Sequence, residues 1–339
     1  MKRLGSKTAC WLGLVAAISM GVTLFPPEVT AQLKIINRDN RGIRDEGDRL
    51  LDLGKTQLDR GLPKQAIASW QQAIALYELV NDRTAISRTL SMIGDTYQKI
   101  GAKVDAQDTY QTQLGFANTL SDPGVQISSL NSLSAIALIK DAPAEAMPIN
   151  KAALDLSRQY RHIFGTGTAL HHSGLIAARY GDHFTAIKRY YASIPYRQDI
   201  RDFSGQAYTL INSGDSYMAT DNFKAAITDY GWALTIARQT HDLKLMAIAT
   251  DRLIAPYLEI PNFYRIEDLL QNRTGIALVL NDLPTAILTQ RQLGDLYLSF
   301  GYIPKAREAY QQSIDFAVKL RDDSAVRESY YRLQALDRS

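Results

Sequence analysis

The sequence predicts an all-α chain of paired helices. Three observations carry that reading: a 40-residue period, apolar residues at helical spacing within each half-period, and helix breakers at regular intervals. Offsetting the chain by 40 brings up an alanine column, Ala66, Ala106, Ala146, Ala186, Ala226 and Ala306, with Ile266 the one departure. Twelve residues earlier stands a glycine column, Gly54, Gly94, Gly174, Gly214 and Gly294, broken by Ser134 and Ile254. Four residues after the alanine comes an aromatic, Trp70, Tyr110, Tyr190, Tyr230 or Tyr310, replaced by Asn150 and Leu270 in two registers. Tyr97, Tyr217, Tyr257 and Tyr297 fall three residues beyond the glycine position.

The elements follow in order. Lys2, Arg3 and Lys7 precede an uncharged apolar run from Trp11 to Phe25, about 15 residues where a membrane span needs roughly 20. Pro26 and Pro27 then break any helix, and Val29-Thr30-Ala31 presents small residues to a signal peptidase. Residues 1–31 are therefore expected to be a signal peptide cleaved after Ala31, with an uncleaved signal anchor as the alternative; either places the body outside the membrane, periplasmic or secreted. Cys10, the one cysteine, precedes the apolar run, whereas a lipidated cysteine follows it; a disulfide scaffold is excluded. Residues 32–45 read as a polar leader.

From residue 46 to 323 the pattern is helix, short turn, helix, short turn, seven times. Breakers such as Gly61-Leu62-Pro63, Gly101, Gly181 and Gly301 separate the helices of a pair, and polar joints such as Asn81-Asp82, His241-Asp242 and Asn281-Asp282 separate the pairs. Small residues let helix backbones approach, and the aromatic is expected to fill the gap between one pair and the next. The third and sixth registers depart most, the sixth carrying Pro256 where it should kink its helix; drift is the expected cause. Residues 324–339 read as a capping helix, Tyr330, Leu333 and Leu336 inward and Arg327, Glu328 and Arg332 outward.

Composition narrows function. Hydrophobic residues at 46% and charged residues at 22% exclude a disordered or fibrous chain. Lys plus Arg number 38 against 35 Asp plus Glu, and without residues 1–31 the balance is 35 to 34, too even to draw the chain to nucleic acid. No phosphate loop, nucleophile elbow or zinc-protease motif occurs in the sequence, so no enzyme, cofactor or metal site is expected. His171 and His172 point about 100° apart on a helix and do not readily share an ion. Lys188, Arg189, Tyr190, Tyr191, Tyr196 and Arg197 mix basic and aromatic character, read as inter-repeat packing at Tyr190 and a solvated outer face elsewhere.

Ile93, Gly94, Tyr97, Gly101, Ala106 and Tyr110 resemble the tetratricopeptide repeat, and the resemblance covers residues 46–338. Leucine, common in that family before the glycine, stands at Leu53, Leu133, Leu253 and Leu293; Ile93 substitutes closely, while Ser173 and Ser213 depart. The usual repeat has about 34 residues, so this one is the longer variant seen in adaptor scaffolds and in exported bacterial, particularly cyanobacterial, arrays. The resemblance implies a right-handed α-solenoid of seven helix pairs plus a C-terminal capping helix. Arrays of this kind often precede a caspase-like domain; this chain ends without one, so a stand-alone array is expected.

The resemblance also implies a concave groove lined by the first helix of each pair, at fixed offsets from the glycine position. Carried over residue by residue, the first four repeats supply Asp48, Lys55, Asp59, Arg88, Asp95, Lys99, Asn131, His171 and Arg179, with Ser128 and Thr168 between them. The last three supply Tyr208, Asp215, Met218, Asp251, Glu259, Arg291 and Asp295. Four acids against one base give that second half a charge of −3, which leads us to expect a protein or peptide partner carrying Lys or Arg, with Tyr208 and Met218 supplying apolar contact. The acids Asp95, Asp215 and Asp295 argue against a partner with a C-terminal carboxylate. The expected function is an exported adaptor, with an envelope assembly factor that uses its outer face or ends as the alternative.

Overall fold

The computed structural model describes residues 40–336. The expected signal peptide and residues 32–39 of the expected leader lie outside them. Among the described residues there are fifteen helices and no strand. They are α1 (Asn40–Asp59), α2 (Pro63–Leu79), α3 (Arg83–Lys99), α4 (Lys103–Leu120), α5 (Pro123–Ile139), α6 (Pro143–Gln159), α7 (Ile163–Arg179) and α8 (His183–Asp199), then α9 (Phe203–Met218), α10 (Phe223–Gln239), α11 (Leu243–Glu259), α12 (Phe263–Val279), α13 (Leu283–Ser299), α14 (Ile303–Leu320) and α15 (Asp323–Ala335). Because α1 starts at Asn40, residues 40–45 are helix and not leader. The described residues divide into two compact units at the boundary 129/130, which falls inside α5. Within each unit α-helices pack in sequence order on their neighbours, the arrangement of an α-solenoid.

One turn design recurs every 20 residues. Gly61, Asn81, Gly101, Ser121, Asp141, Arg161, Gly181, Arg201, Asp221, His241, Asn281, Gly301 and Arg321 all have φ between 51° and 77°, the left-handed conformation that ends helices. At the α2–α3 turn the Asn81 N–H donates to the Glu78 carbonyl at 3.1 Å and the Asp82 N–H to the Tyr77 carbonyl at 2.8 Å. The Asp82 carboxylate then accepts the Ala85 N–H at 3.0 Å and starts α3. Asp122, His162, Asp202, Asp242, Asp282 and Asp322 repeat this cap on α5, α7, α9, α11, α13 and α15, each worth about 1 kcal/mol. Position 261 is the exception, because Pro261 cannot take positive φ; Ile260 ends α11 at φ −114°, ψ 80° instead. Pro256 does not break α11, which runs on to Glu259: in the last turn its missing N–H costs a single in-helix bond, to the Arg252 carbonyl.

The glycine and aromatic columns meet. A Cβ on Gly54, Gly94, Gly174, Gly214 or Gly294 would fall within 3 Å of the ring of Trp70, Tyr110, Tyr190, Tyr230 or Tyr310 respectively, closer than real Cβ atoms approach. Each ring is almost fully buried. The ring therefore lies inside its own helix pair, against the backbone of the first helix, and not between one pair and the next as expected. Sixteen residues along the chain, one helix and a tight turn bring the second helix back opposite that glycine. The two departures are themselves paired: Ser134 goes with Asn150 and Ile254 with Leu270, so each register that loses the glycine also loses the ring. Ile254 and Leu270 pack in one apolar cluster with Leu293 and Tyr297, so in the sixth register two aliphatic side chains stand where the glycine and ring do elsewhere.

The last helix also differs from expectation. In α15 the inward residues are Ala325 and Ser329; Leu333 and, just past the helix, Leu336 pack in the cluster of Leu270, Leu293 and Tyr297, while Tyr330 is 52% exposed. Glu328 and Arg332, expected to face solvent, bond Arg291 and Asp295 of α13.

Two helical glycines separate packing from propensity. Gly214→Ala should lower the urea midpoint, since an overpacked ring contact costs about 1–3 kcal/mol, whereas Gly231→Ala, whose Cβ meets nothing within 4 Å, should raise stability by about 1 kcal/mol. Equal shifts for both would show that the Gly214 contact is unimportant.

Candidate functional site

The residues expected to line a groove sit on first helices, and most are engaged by the chain itself. The residue after the glycine is an acid at Asp95, Asp215 and Asp295, and each carboxylate accepts the buried tyrosine hydroxyl of its own pair: Tyr110 to Asp95, Tyr230 to Asp215 at 2.7 Å and Tyr310 to Asp295 at 2.7 Å. Burial, followed by these hydrogen bonds and the carboxylate charge, pushes the Tyr230 and Tyr310 hydroxyls well above their ordinary range. Asp48 does the same for Tyr77 at 2.7 Å, and Lys55 pairs with Asp52 at 2.8 Å.

Other predicted residues join one first helix to the next in the 130–339 unit. Arg179 on α7 donates to the Leu138 carbonyl at 3.3 Å and to Asp141. Arg252 on α11 lies 3.1 Å from Asp215 on α9. Arg291 on α13, largely buried, donates to Ser329 at 2.8 Å, Glu328 at 2.6 Å and the Ala325 carbonyl at 2.9 Å on α15. Arg332 returns from α15 to Asp295. Asn131 reaches the Gly165 carbonyl at 3.4 Å, and Asp251 receives the buried Arg273 Nε at 2.7 Å from α12.

These pairs correct the charge argument. Asp215, Asp251 and Asp295 are matched by Arg252, Arg273 and Arg332, and Arg291 by Glu328. With those partners included, three bases and one acid more, the −3 falls to −1, and the ground for expecting a basic ligand goes with it. Sequence offsets could not show this, because the partnering arginines lie in columns that do not line the face.

No sequence-family model matches the chain, and no curated protein is similar to it in sequence. Solved structures do match. A signal-transduction ATPase with numerous domains, bearing a tetratricopeptide repeat sensor, from Pyrococcus horikoshii superposes with a TM-score of 0.64 at 15% identity, over 86% of this chain and 45% of that one. The fold is that of a tetratricopeptide-repeat array. This array spans less than half of that ATPase. It also matches apo RapI, with a TM-score of 0.59 at 13% identity over 81% of this chain and 99% of that one. A Rap protein complexed with competence and sporulation factor gives 0.53 at 13% over 87% and 98%.

The side chains of Arg88 and Lys99 in the first unit, and of Tyr208 and Glu259 on the first helices of the second, make no hydrogen bond or ion pair among the described residues. Tyr208 is 44% exposed and begins an apolar column that a search for charge overlooks: 40 and 80 residues on stand Ile248 and Leu288, both exposed, on α11 and α13. A second column carries Met218, which packs on the core, then exposed Leu258 and Leu298. At 100° per residue the two columns flank the ion-paired acids on one side of each helix. Reading the same offsets for apolar character would have found them.

His171 is a core residue rather than a surface one. Its Nδ1 lies 2.9 Å from Thr209 Oγ1 and its Nε2 3.4 Å from Asn212 Nδ2, while its ring stands 5.6 Å from Tyr190 and 6.0 Å from His172. Arg197, read as solvated, is buried and bonds Asp202; Lys188, Arg189 and Tyr196 are exposed. No cluster of three or more His, Cys, Asp or Glu placed to hold a metal occurs among the described residues. Burial, with His172 and Arg197 adding repulsion, holds His171 well below its usual range; burial and Arg197 bring His172 from 6.5 down to about 4. Both are neutral in the fold. Their stabilising effect is therefore complete above the unfolded value, about pH 6.5, and is lost as pH falls below it; for His172 the loss spans the interval down to about 4 and amounts to about 3 kcal/mol. The gap between melting temperatures at about pH 7 and pH 4.5 should be smaller in His172→Gln than in the parent; an unchanged gap would place the acid sensitivity elsewhere.

Proposed function

We propose that the chain is an exported interaction scaffold and that the first-helix face of its 130–339 unit binds a segment of a partner protein through apolar contacts. The observation that carries this reading is the exposed row Tyr208, Ile248 and Leu288 on three successive first helices. Such a row offers side-chain contacts at each repeat along an extended surface. The fold alone does not assign a function. The Rap protein solved with a bound factor is an example of this fold in complex with another molecule. Because the acids beside the row already hold arginines of this chain, the reading favours an apolar or amphipathic segment over a basic one. Affinity for a linear segment would be micromolar, about −8 kcal/mol, since ordering an extended peptide offsets much of the contact energy. Export rests on Lys2, Arg3 and Lys7, the apolar run and the Ala31 site.

Crosslinking capture from an envelope fraction tests the binding face. A Tyr208→Ser/Ile248→Ser/Leu288→Ser variant should lose the dominant partner, whereas Asp215→Asn/Asp251→Asn should retain it. The reverse pattern would restore the electrostatic reading and overturn this one. N-terminal sequencing of the protein recovered from that fraction should begin at Gln32; a start at Met1 would mean a retained anchor.

A further inference from the structure

The second helices carry a feature that the groove reading does not use: a cleft of about 390 Å³ between α10 and α12, with α11 as its floor. The repeats supply their own control for why it is open. One position on the second helix, 40 residues apart, is Gln71, Gln111, Lys151, Tyr191, Gly231, Gln271 and Gln311. Glycine alone among these has no side chain, and around Gly231 a Cβ would meet nothing within 4 Å.

One repeat earlier the same space is filled. Tyr191 of α8 extends across to α10, where its hydroxyl donates to the buried Asp229 at 2.6 Å, beside Tyr217 of α9. Moved on by 40, those three positions become Gly231, Leu269 and Tyr257, all lining the cleft. The cleft between α10 and α12 thus keeps the tyrosine of its floor, exchanges the carboxyl for an apolar side chain and lacks the ring. Its rim carries Arg238 from the end of α10 and Arg265 from the start of α12. Neither guanidinium is hydrogen-bonded or ion-paired among the described residues, and the one acid there, Asp268, takes the Asn272 amide at 2.9 Å. Trp232 stands at the mouth, 60% exposed.

We propose that this cleft is a second binding site, separate from the first-helix face, that accepts an aromatic side chain of a partner polypeptide whose neighbouring residues are acidic. The missing ring sets the shape, the apolar Leu269 in place of Asp229 favours a ring without a buried charge partner, and the two unpaired arginines set the charge next to it. Trp232, 60% exposed among the lining residues, offers further apolar surface to the residues that flank such a ring in a polypeptide.

Fluorescence anisotropy of a dye-labelled peptide, Gly-Asp-Tyr-Asp-Gly, titrated with the full chain tests the site. Binding should be measurable below about 1 mM and at least tenfold weaker for Gly-Lys-Tyr-Lys-Gly and Gly-Asp-Ala-Asp-Gly. Gly231→Tyr, which restores the ring found one repeat earlier, should abolish it while the far-ultraviolet circular dichroism stays that of the parent, and Gly231→Ala should retain it. Arg238→Gln/Arg265→Gln should weaken it at least tenfold. The Tyr208, Ile248 and Leu288 variant should bind this peptide like the parent, so failure of the groove reading and failure of this one remain distinct. Binding that survives Gly231→Tyr, binding lost with the groove variant, absence of binding at about 1 mM, or competition by N-acetyl-tyrosine as strong as by the peptide would each overturn the proposal.

Discussion

The contact between a ring of the second helix and a glycine of the first sets the spacing within most helix pairs, and much else follows from it. A side chain at the glycine would collide with the ring, so the two backbones approach as closely as an aromatic face allows. Burying a tyrosine that deeply obliges its hydroxyl to find an acceptor. In three pairs the acceptor is the carboxylate next to the glycine, which places an acid on the first-helix face for a structural reason. In the first pair the Trp70 indole donates instead to the Leu51 carbonyl at 3.0 Å, and the residue after Gly54 is Lys55. Where the ring is Asn150 or Leu270, the residue after the glycine position is alanine. The acidic column thus follows the tyrosine column; only Tyr190, near His171 and with Leu175 in the acid's place, departs from the rule.

Those acids serve a second purpose. Arginines from a neighbouring first helix reach Asp215 and Asp295, so one carboxylate both receives a phenol within its pair and holds the next repeat. Exposed ion pairs add little individually, about 0–1 kcal/mol. Their larger consequence is for recognition, because a carboxylate already facing an arginine offers a ligand less charge. On the proposed binding face, that leaves specificity to the apolar residues between and beside them.

Several departures coincide in the sixth register and at its interface with the fifth. Pro261 removes the left-handed turn residue, Ile254 and Leu270 replace the glycine and ring, and Gly231 with Leu269 removes the phenol and carboxyl that close the preceding interface. In a solenoid each repeat packs only on its neighbours, so such a change stays local and opens a cleft without disturbing distant repeats. The capped turns on either side, at His241-Asp242 and Asn281-Asp282, keep the common geometry.

The sequence by itself determined the helix count, the turn positions and the core columns, because helix periodicity, left-handed turn residues and small or aromatic packing positions are local properties that recur every 20 or 40 residues. It missed the start of α1 at Asn40, where a polar stretch without a breaker is read equally well as leader or helix. The partners of the groove residues were decided only by the tertiary structure. Asp215 and Arg252 are 37 residues apart, as are Asp295 and Arg332, and whether they meet depends on how successive first helices align. The same holds for the α10–α12 cleft: Gly231 reads in the sequence as one more helical glycine, and only the neighbouring repeat, with Tyr191 in the equivalent space, shows that a ring is missing there.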